Sequence, residues 1–320
     1  MNEDEYVLFV IEEKCNSKCD ICMVEGHDGA LVDLLTISFS NFKKFLGLIP
    51  EGKYSGIKFS GGEVTLNKQL PEFASYARDK GFRNIMIQTN ARALSDLDKL
   101  KELKAAGINQ YFVSFHGADK DLSDKMAGRL GAYSQTVKGL ENLNSLNLEV
   151  ISNTVMTPVN YKFLPEIGEF LLKFNNIAEM QFWGYVPMSL RASELTLPYA
   201  LASPYLNKTI ASLVNHQKMV CVKRYPGCLL DGPHRKYLDN RQCLAIGVKS
   251  SYIKRILGLK FEKMACCEGT DCWGLPEIYK SVMPSGTWMP ATIPLKEKRP
   301  RRTDKQRRFH PIFISPVPII

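Results

Sequence analysis

The chain has 320 residues, a formal net charge of +9 and a hydrophobic content of 45%. That length suits one large domain with an appendage or two modest domains, with ample apolar material for a core. There is no charged-then-apolar leader and no apolar run of about 18 residues, which argues against a secreted or membrane-spanning protein. With nine cysteines, the composition favours a reduced, cytoplasmic environment and no membrane partner.

The positive charge is concentrated near the C-terminal end. Residues 296–308 contain eight basic and two acidic residues, so the rest of the chain carries a net charge of about +3. The body is therefore nearly neutral, and nucleic acid is only weakly supported as a partner. Residues 284–320 are rich in proline and lack periodicity, so we expect a disordered tail.

Residues 1 to about 190 alternate between strand and helix patterns. The predicted strands are Tyr6–Ile11, Ile57–Phe59, Asn84–Gln88, Gln110–Phe115, Glu149–Val155 and Glu179–Trp183. The predicted helices are Ser40–Ile49, Leu70–Lys80, Ser95–Gly107, Ser134–Leu146 and Phe163–Phe174. Ser40 is expected to cap the first helix, and Ser95 with Asp98 forms a capping-box signature. The alternation stops near Ala200, where a helix over about Tyr205–Gln217 is predicted.

Six strand–helix units predict a parallel sheet with helices outside it, because parallel strands need helical crossovers. Ligands of such α/β folds gather at the carboxyl ends of the strands. Three cysteines lie at the first of these ends, in a C-x3-C-x2-C spacing: Cys15, Cys19 and Cys22. Iron–sulfur clusters prefer thiolates and normally take four, yet the next cysteine is Cys221. A cluster held here would keep one iron open; a zinc half-site or a disulfide pair is the alternative.

The spacing resembles that of the radical SAM superfamily, and the second strand is followed by another matching motif. Gly61, Gly62 and Glu63, followed by Val64 and Thr65, are similar to the family's G-G-E-P-T motif with valine in place of proline. Glycines let the backbone approach a ligand closely, and a carboxylate accepts hydrogen bonds from an amine. The resemblance, over about residues 6–185, implies that this segment holds the methionine amino group of S-adenosylmethionine (SAM). It also implies that the three cysteines bind a [4Fe-4S] cluster.

Two further segments resemble family motifs, and the family fold is a partial (β/α)6 barrel of the TIM type. Thr89 and Asn90, followed by alanine, match the family's T-N-G segment, whose polar side chains reach the cofactor ribose. An ordinary asparagine turn is the alternative. Ser114, within Val-Ser-Phe-His-Gly, matches a stretch that faces the methionine end of the cofactor.

Three residues are weaker candidates. Arg129 matches a position where many members place a basic residue near the cofactor carboxylate, but an exposed surface arginine is an equal alternative. His116 could act in acid–base chemistry, although a histidine hydrogen-bonded beside a glycine turn is the favoured interpretation. Ile21 takes a place where the family often has an aromatic residue beside the adenine, and its aliphatic side chain can still cover the ring.

The later cysteines resemble the auxiliary-cluster extensions of some radical SAM enzymes, although their spacing fits neither the SPASM nor the twitch pattern. They are Cys221, Cys228, Cys243, Cys266, Cys267 and Cys272. The predicted ligands of a second [4Fe-4S] cluster are Cys228, Cys243, Cys267 and Cys272. A structural zinc or buried free thiols are the alternatives. The predicted organisation is a barrel over 1–195, a cysteine-bearing extension over 196–283 and the tail over 284–320.

The resemblance implies an enzyme in which an external donor of the flavodoxin or ferredoxin type reduces the cluster. Cleavage of SAM would then give a 5′-deoxyadenosyl radical that abstracts hydrogen from a substrate. The favoured substrate is a ribosomally made peptide, because auxiliary clusters are common in peptide-modifying members of the family. The next candidate is a natural-product or cofactor precursor. RNA modification and a non-catalytic iron–sulfur or zinc scaffold are the alternatives.

Overall fold

The computed structural model describes residues 6–22, 36–50, 52–185 and 195–239, and the backbone of three short strands beyond them. The strands are β1 (Tyr6–Glu12), β2 (Gly56–Gly61), β3 (Asn84–Thr89), β4 (Gln110–Ser114), β5 (Glu149–Met156), β6 (Ile177–Gly184), β7 (Met219–Lys223), β8 (Leu244–Ile246), β9 (Phe261–Glu262) and β10 (Leu275–Pro276). The helices are α1 (Phe39–Leu48), α2 (Leu70–Asp79), α3 (Leu97–Ala105), α4 (Lys120–Ala127), α5 (Ala132–Ser145), α6 (Leu164–Leu171) and α7 (Tyr199–Asn215). None of the described helices is long and apolar enough to cross a membrane.

Eight strands form one sheet in the order β7-β6-β5-β4-β3-β2-β1-β8, and every pairing in it is parallel. From β1 to β7 the spatial order follows the chain order, so each crossover advances one strand in the same direction. Right-handed crossovers then place all the helices on one face and leave the other face as a concave interior. The predicted α/β fold of the open-barrel type is confirmed.

The sheet extends further than the sequence predicted. The alternation does not stop near Ala200, because α7 and β7 add one more unit beside β6. The predicted helix began at about Tyr205, whereas α7 begins at Tyr199 and contains Pro204, a residue that usually breaks a helix. The five residues of β7 were not predicted as a strand.

Local capping explains the other differences. The sequence analysis missed α4, an eight-residue helix whose first turn is capped by Asp119, which accepts a hydrogen bond from the Leu122 amide at 2.9 Å. Ser38, not Ser40, caps α1. Asp96, not Ser95, caps α3, because the residues before it form a separate 3₁₀ turn.

The two faces of the sheet have different chemistry. The outer face packs against the helices through a continuous apolar core, in which Phe42 lies 4.9 Å from both Phe9 and Phe73, centroid to centroid. The inner face carries a separate, small apolar floor made of Tyr6, Met86, Phe112 and Ile151. Beyond that floor, towards the carboxyl ends of the strands, the inward positions become polar, which suits a ligand-binding interior.

Substitution of Gly139 tests the contact between α5 and the chain that follows β3. A Cβ atom at Gly139 would lie 2.2 Å from the carbonyl oxygen of Ala91, whereas one at Gly47 of α1 would have no described atom within 4 Å. Alanine is favoured over glycine in helices by up to about 1 kcal/mol. We therefore expect Gly47→Ala to raise the free energy of unfolding slightly, and Gly139→Ala to lower it by about 1–3 kcal/mol through the forced shift of α5. Urea denaturation measures both, and equal stabilisation by the two substitutions would contradict the packing.

Candidate active site at the carboxyl ends of the strands

The cluster loop, residues 15–22, follows β1 and packs against the end of α4. The amide of Lys18 donates to the carbonyl of Ala127 at 2.9 Å. Gly128, with a φ of 58°, leaves room for this contact, since a Cβ there would lie 2.1 Å from the Lys18 oxygen. The missed helix α4 therefore supports the loop that carries the predicted cluster ligands.

The three thiols of this loop fit the ligand set of an iron–sulfur cluster. Each is half-buried, and burial, with the nearby Cys22 and Cys15, raises the pKa of Cys19 to about 12. Such thiols lose their protons when a metal binds. No three His, Cys, Asp or Glu side chains among the described residues converge on a single ion. A four-iron cube does not require that convergence, because each thiolate takes its own iron.

Glu63 lies at the centre of a buried hydrogen-bond network between the ends of β2 and β3. Its carboxylate is 1% exposed. Oε1 accepts from the Thr65 hydroxyl at 2.6 Å, the Thr65 amide at 3.2 Å and the Thr89 hydroxyl at 2.6 Å. Oε2 accepts from the Asn90 amide at 2.7 Å. Each oxygen of an ionised carboxylate has about two acceptor positions. Oε1 already accepts from three donors and Oε2 from one, so Oε2 is the oxygen with capacity for a further donor such as an amine.

Gly61 and Gly62 allow a close approach between β2 and the chain entering the cluster loop. Gly61 has a φ of 140°, and a Cβ there would lie 2.0 Å from the carbonyl oxygen of Glu12; at Gly62 it would lie 2.3 Å from that of Lys14. The Gly62 amide donates to Glu12 at 2.7 Å and the Glu63 amide to Lys14 at 2.8 Å. The sequence argument assigned the glycines to a ligand, whereas here they accommodate the protein's own backbone.

Asn90 joins the end of β3 to the cluster loop. Its side-chain amide donates to Asn16 Oδ1 at 2.7 Å, and Nδ2 lies 4.0 Å from the sulfur of Cys15. The next residue, Ala91, has a φ of 61°, a left-handed conformation that glycine adopts with less strain. This explains why the T-N-G motif of the resemblance ends in glycine.

Arg92 is a residue in contact with the cluster loop that the sequence analysis missed. Its Nη1 donates to the backbone carbonyl of Asn16 and, at 3.0 Å, to the hydroxyl of Ser17, while Nε donates to Gln135 of α5 at 2.8 Å. The guanidinium thus connects the cluster loop to a helix and places a positive charge beside it. Its position directly after the Thr-Asn-Ala turn was the available signal.

The remaining candidates lie at different places. Ser114 ends β4 in register with Asn153 of β5, one strand beyond the Glu63 network. His116 Nδ1 accepts from the Val155 amide at 3.3 Å, and burial lowers its pKa to about 4, which agrees with a neutral, hydrogen-bonded histidine. Arg129 is exposed after α4, and Ile21 is half-buried in the cluster loop.

The C-terminal cysteines divide into two groups. Cys221 is buried on β7 in register with Gln181, and Cys228 is half-buried against the apolar core. Cys243, Cys266, Cys267 and Cys272 lie outside the described residues, as does the 284–320 tail. The second cluster therefore stays a prediction.

The structure is an open parallel barrel with three cysteines and a buried glutamate network at its strand ends. The family model of the radical SAM superfamily matches residues 10–171, about half of the chain. The chain belongs to the radical SAM superfamily, which implies a [4Fe-4S] cluster and SAM as its cofactors.

Known proteins with different activities in their names are similar to part of this chain. The chain is 32% identical to Fe-coproporphyrin III synthase of Methanosarcina barkeri over 165 residues, 52% of this chain and 40% of the relative. It is 28% identical to PqqA peptide cyclase of Bradyrhizobium diazoefficiens over 184 residues, 56% of this chain and 47% of the relative. SuiB of Streptococcus suis, bound to precursor peptide SuiA, matches with a TM-score of 0.53 at 15% identity, over 68% of this chain and 48% of that chain. The chain thus spans less than half the length of each.

Arg92 should affect the cluster through both its hydrogen bonds and its charge. We expect Arg92→Gln to lower the one-electron midpoint potential of the reconstituted cluster by about 60 mV, because a nearby cation stabilises the reduced form. Arg92→Lys keeps the charge but loses the bonds to the loop, so its potential should stay near that of the wild type while its iron occupancy falls. Potentiometry followed by EPR, with iron analysis, separates the two effects. Equal potentials in all three proteins would contradict the electrostatic role.

His116 gives a pH dependence with a definite sign. A histidine in an unfolded chain has a pKa near 6.5. Between that pH and about 4, His116 therefore binds a proton in the unfolded chain but not in the folded one. Stability from His116 is therefore present above pH 6.5 and is lost as the pH falls towards 4, by up to about 3 kcal/mol. Urea denaturation of the cluster-free protein at several pH values should show a steeper loss in the wild type than in His116→Gln. If the free energy of unfolding fell equally with pH in the two proteins, the prediction that the His116 imidazole is neutral in the folded protein would be wrong.

Proposed function

We propose that this chain is a radical SAM enzyme whose cluster is held by Cys15, Cys19 and Cys22. The observation that carries the proposal is the arrangement of the cluster loop, which Asn90 and Arg92 connect to the end of β3 beside the Glu63 network. When bound and reduced, the cluster and SAM supply a 5′-deoxyadenosyl radical that takes hydrogen from a substrate.

The residues of the chain serve to bind and orient. Gly61, Gly62 and Glu63 are assigned to the SAM amino group, and Oε2 of Glu63 has the acceptor capacity for it. Thr89 and Asn90 are assigned to the ribose. Their side chains already bind Glu63 and Asn16, so the cofactor would share or exchange these bonds.

Ser114 is assigned to the methionine end of SAM. It ends β4 on the inner face, in register with Asn153, and so faces the same interior as the apolar floor. That floor closes the interior below the site and would keep water from a reactive radical.

The proposed substrate is a ribosomally made peptide, followed by a natural-product or cofactor precursor. One relative is a PqqA peptide cyclase, another is an Fe-coproporphyrin III synthase, and SuiB was solved bound to a precursor peptide. We also propose a flavodoxin or ferredoxin as the reductant, a cytoplasmic location and the domain organisation given above. A second [4Fe-4S] cluster at Cys228, Cys243, Cys267 and Cys272 belongs to the same proposal.

Iron analysis and SAM cleavage test the enzyme assignment. Anaerobic protein should be brown, with about four irons for each cluster, and should form 5′-deoxyadenosine under dithionite. Cys15→Ala, Cys19→Ala and Cys22→Ala should each lose about four irons and all SAM cleavage. Cys228→Ala serves as the matched cysteine control and should lose iron only from the second cluster.

Two results would decide against the enzyme. A triple cysteine variant that still formed 5′-deoxyadenosine would remove the cluster loop from the chemistry. Colourless, zinc-loaded wild-type protein would favour the non-catalytic scaffold.

A further inference from the structure

The turn that follows α4 (residues 128–131, the α4 turn) lies between the cluster loop and solvent. Its neighbour Ala127 accepts the hydrogen bond from the Lys18 amide at 2.9 Å, and Lys18 directly precedes the proposed cluster ligand Cys19. Leu130, three residues beyond Ala127, is 92% exposed. A protein that docked on the α4 turn would therefore reach the backbone of the cluster loop across a single hydrogen bond.

Buried contacts hold the α4 turn in place, so the exposure of Leu130 does not come from a loosely held loop. Asp124 is 5% exposed, and its carboxylate accepts from the amide of Gly131 at 2.7 Å and from that of Tyr133 at 2.8 Å. The amide of Arg129 donates to the Asp124 carbonyl at 3.1 Å. Hydrogen bonds to a buried carboxylate are strong, and the turn therefore presents Leu130 to solvent in a defined position.

The surroundings of Leu130 distinguish it from an ordinary exposed leucine, which is common on protein surfaces and indicates nothing by itself. Leu130 and Gly128 line an open recess of about 450 Å³ together with charged side chains. An apolar centre with a charged rim is the composition of a small protein interface. The charged residues of the lining are Lys120, Asp121, Asp124, Lys125 and Arg129.

The rim of this recess is positively charged. Lys120, Lys125 and Arg129 are exposed and contribute three positive charges. The Asp124 carboxylate is buried and bonded to backbone amides, which leaves Asp121 as the exposed acid of the lining. Three cations and one anion give the exposed lining a net charge of +2. In the part of the chain that the structure describes, Lys125 and Arg129 form no ion pair, so both can meet acidic groups of a partner.

The position of the recess indicates the kind of partner. In the proposed function the cluster receives one electron from outside the chain before SAM is cleaved, so the donor must come close to the cluster loop. The substrate, in contrast, must enter the interior of the barrel. Complexes of electron carriers are small, with less than about 1,200 Å² buried, and attraction between opposite charges speeds their formation. One leucine within a rim of cations is sufficient for such an encounter.

We propose that the α4 turn and the recess beside it dock the electron donor, and that the donor is a small acidic carrier protein of the flavodoxin or ferredoxin type. This rests on the proposed function and assigns a surface to its reductant. In the docked complex the carrier loses one electron and the cluster gains it, and no atom is transferred. Lys125 and Arg129 contact carboxylates of the carrier, while Leu130 packs against an apolar residue of it.

Two reductants separate docking from catalysis, because dithionite needs no docking surface. Lys125→Glu and Leu130→Ser should keep the dithionite-driven rate of 5′-deoxyadenosine formation within about twofold of the wild type, since neither side chain is assigned to the cofactors. With a flavodoxin kept reduced by its NADPH-dependent reductase, kcat/KM for the flavodoxin should fall about tenfold in each variant. Unchanged values in both variants would overturn the proposal. Arg129 is left unchanged, because its matching position in the family lies near the cofactor carboxylate.

Lys44→Glu and Leu48→Ser are the matched controls. Both side chains are exposed near the end of α1, where Leu48 is 67% exposed. Because α1 leads into β2, its end lies at the amino edge of the sheet, opposite the cluster loop. The controls should keep the wild-type rate with both reductants. If they lower the flavodoxin-driven rate as much as the variants of the recess, the effect is not specific to the α4 turn and the proposal is wrong.

Salt dependence is a readout that a purely structural role would not change. The flavodoxin-driven rate of the wild type should fall as sodium chloride is raised from about 50 to about 300 mM, because salt screens the attraction between exposed charges. The fall should be smaller in Lys125→Glu, which has lost a cation of the rim. Equal salt dependence in the two proteins would remove Lys125 from the contact with the carrier.

The remaining outcomes separate the docking surface from the proposed function. A wild-type enzyme that cleaves SAM with dithionite, but with neither reduced flavodoxin nor reduced ferredoxin, would refute only the carrier. Holoenzyme that binds flavodoxin in a calorimetric titration, more weakly in Leu130→Ser, but cleaves no SAM with dithionite would refute only the proposed function. A change of oligomeric state in Leu130→Ser, measured by light scattering, would assign the recess to a second copy of the chain and overturn the proposal.

Discussion

The buried carboxylate of Glu63 is the contact on which the rest of the candidate site depends. Four donors from Thr65, Thr89 and Asn90 converge on it at the ends of two adjacent strands. A charge removed from water is tolerable only when such bonds replace its hydration. Any shift of β3 relative to β2 would break several of these bonds at once, so the network fixes the relative position of the two strand ends.

The hydrogen bonds of this network also fix the position of the cluster loop. Asn90, whose amide binds Glu63, uses its side chain to hold Asn16, and Arg92 holds the same stretch from the next turn. On the other side, Gly128 lets the end of α4 contact Lys18. A loop held by these contacts would lose less conformational entropy on binding the proposed cluster, because most of its backbone is already ordered.

The sequence predicted the parts of this arrangement that depend on local pattern. Strand periodicity, the cysteine spacing and the Gly-Gly-Glu segment placed the site at the strand ends, and the parallel sheet follows from the alternation. Arg92 was not predicted, because a single arginine has no pattern and its role depends on which distant residue it meets. The same is true of β7, a short strand whose pairing with β6 is decided by the sheet and not by its own composition.

The residues that line the interior therefore fall into two groups: those on β1 to β3 belong to sequence motifs, and those on β5 to β7 do not. On β1 to β3 the residues of the motifs make most of their hydrogen bonds within the protein. On β5 to β7 the unusual features are the Asn153 side-chain amide, which no described residue pairs, and a left-handed arginine. Both lower the stability of the ligand-free fold. Residues that lower stability without a structural return are those in which a binding function is most clearly expressed.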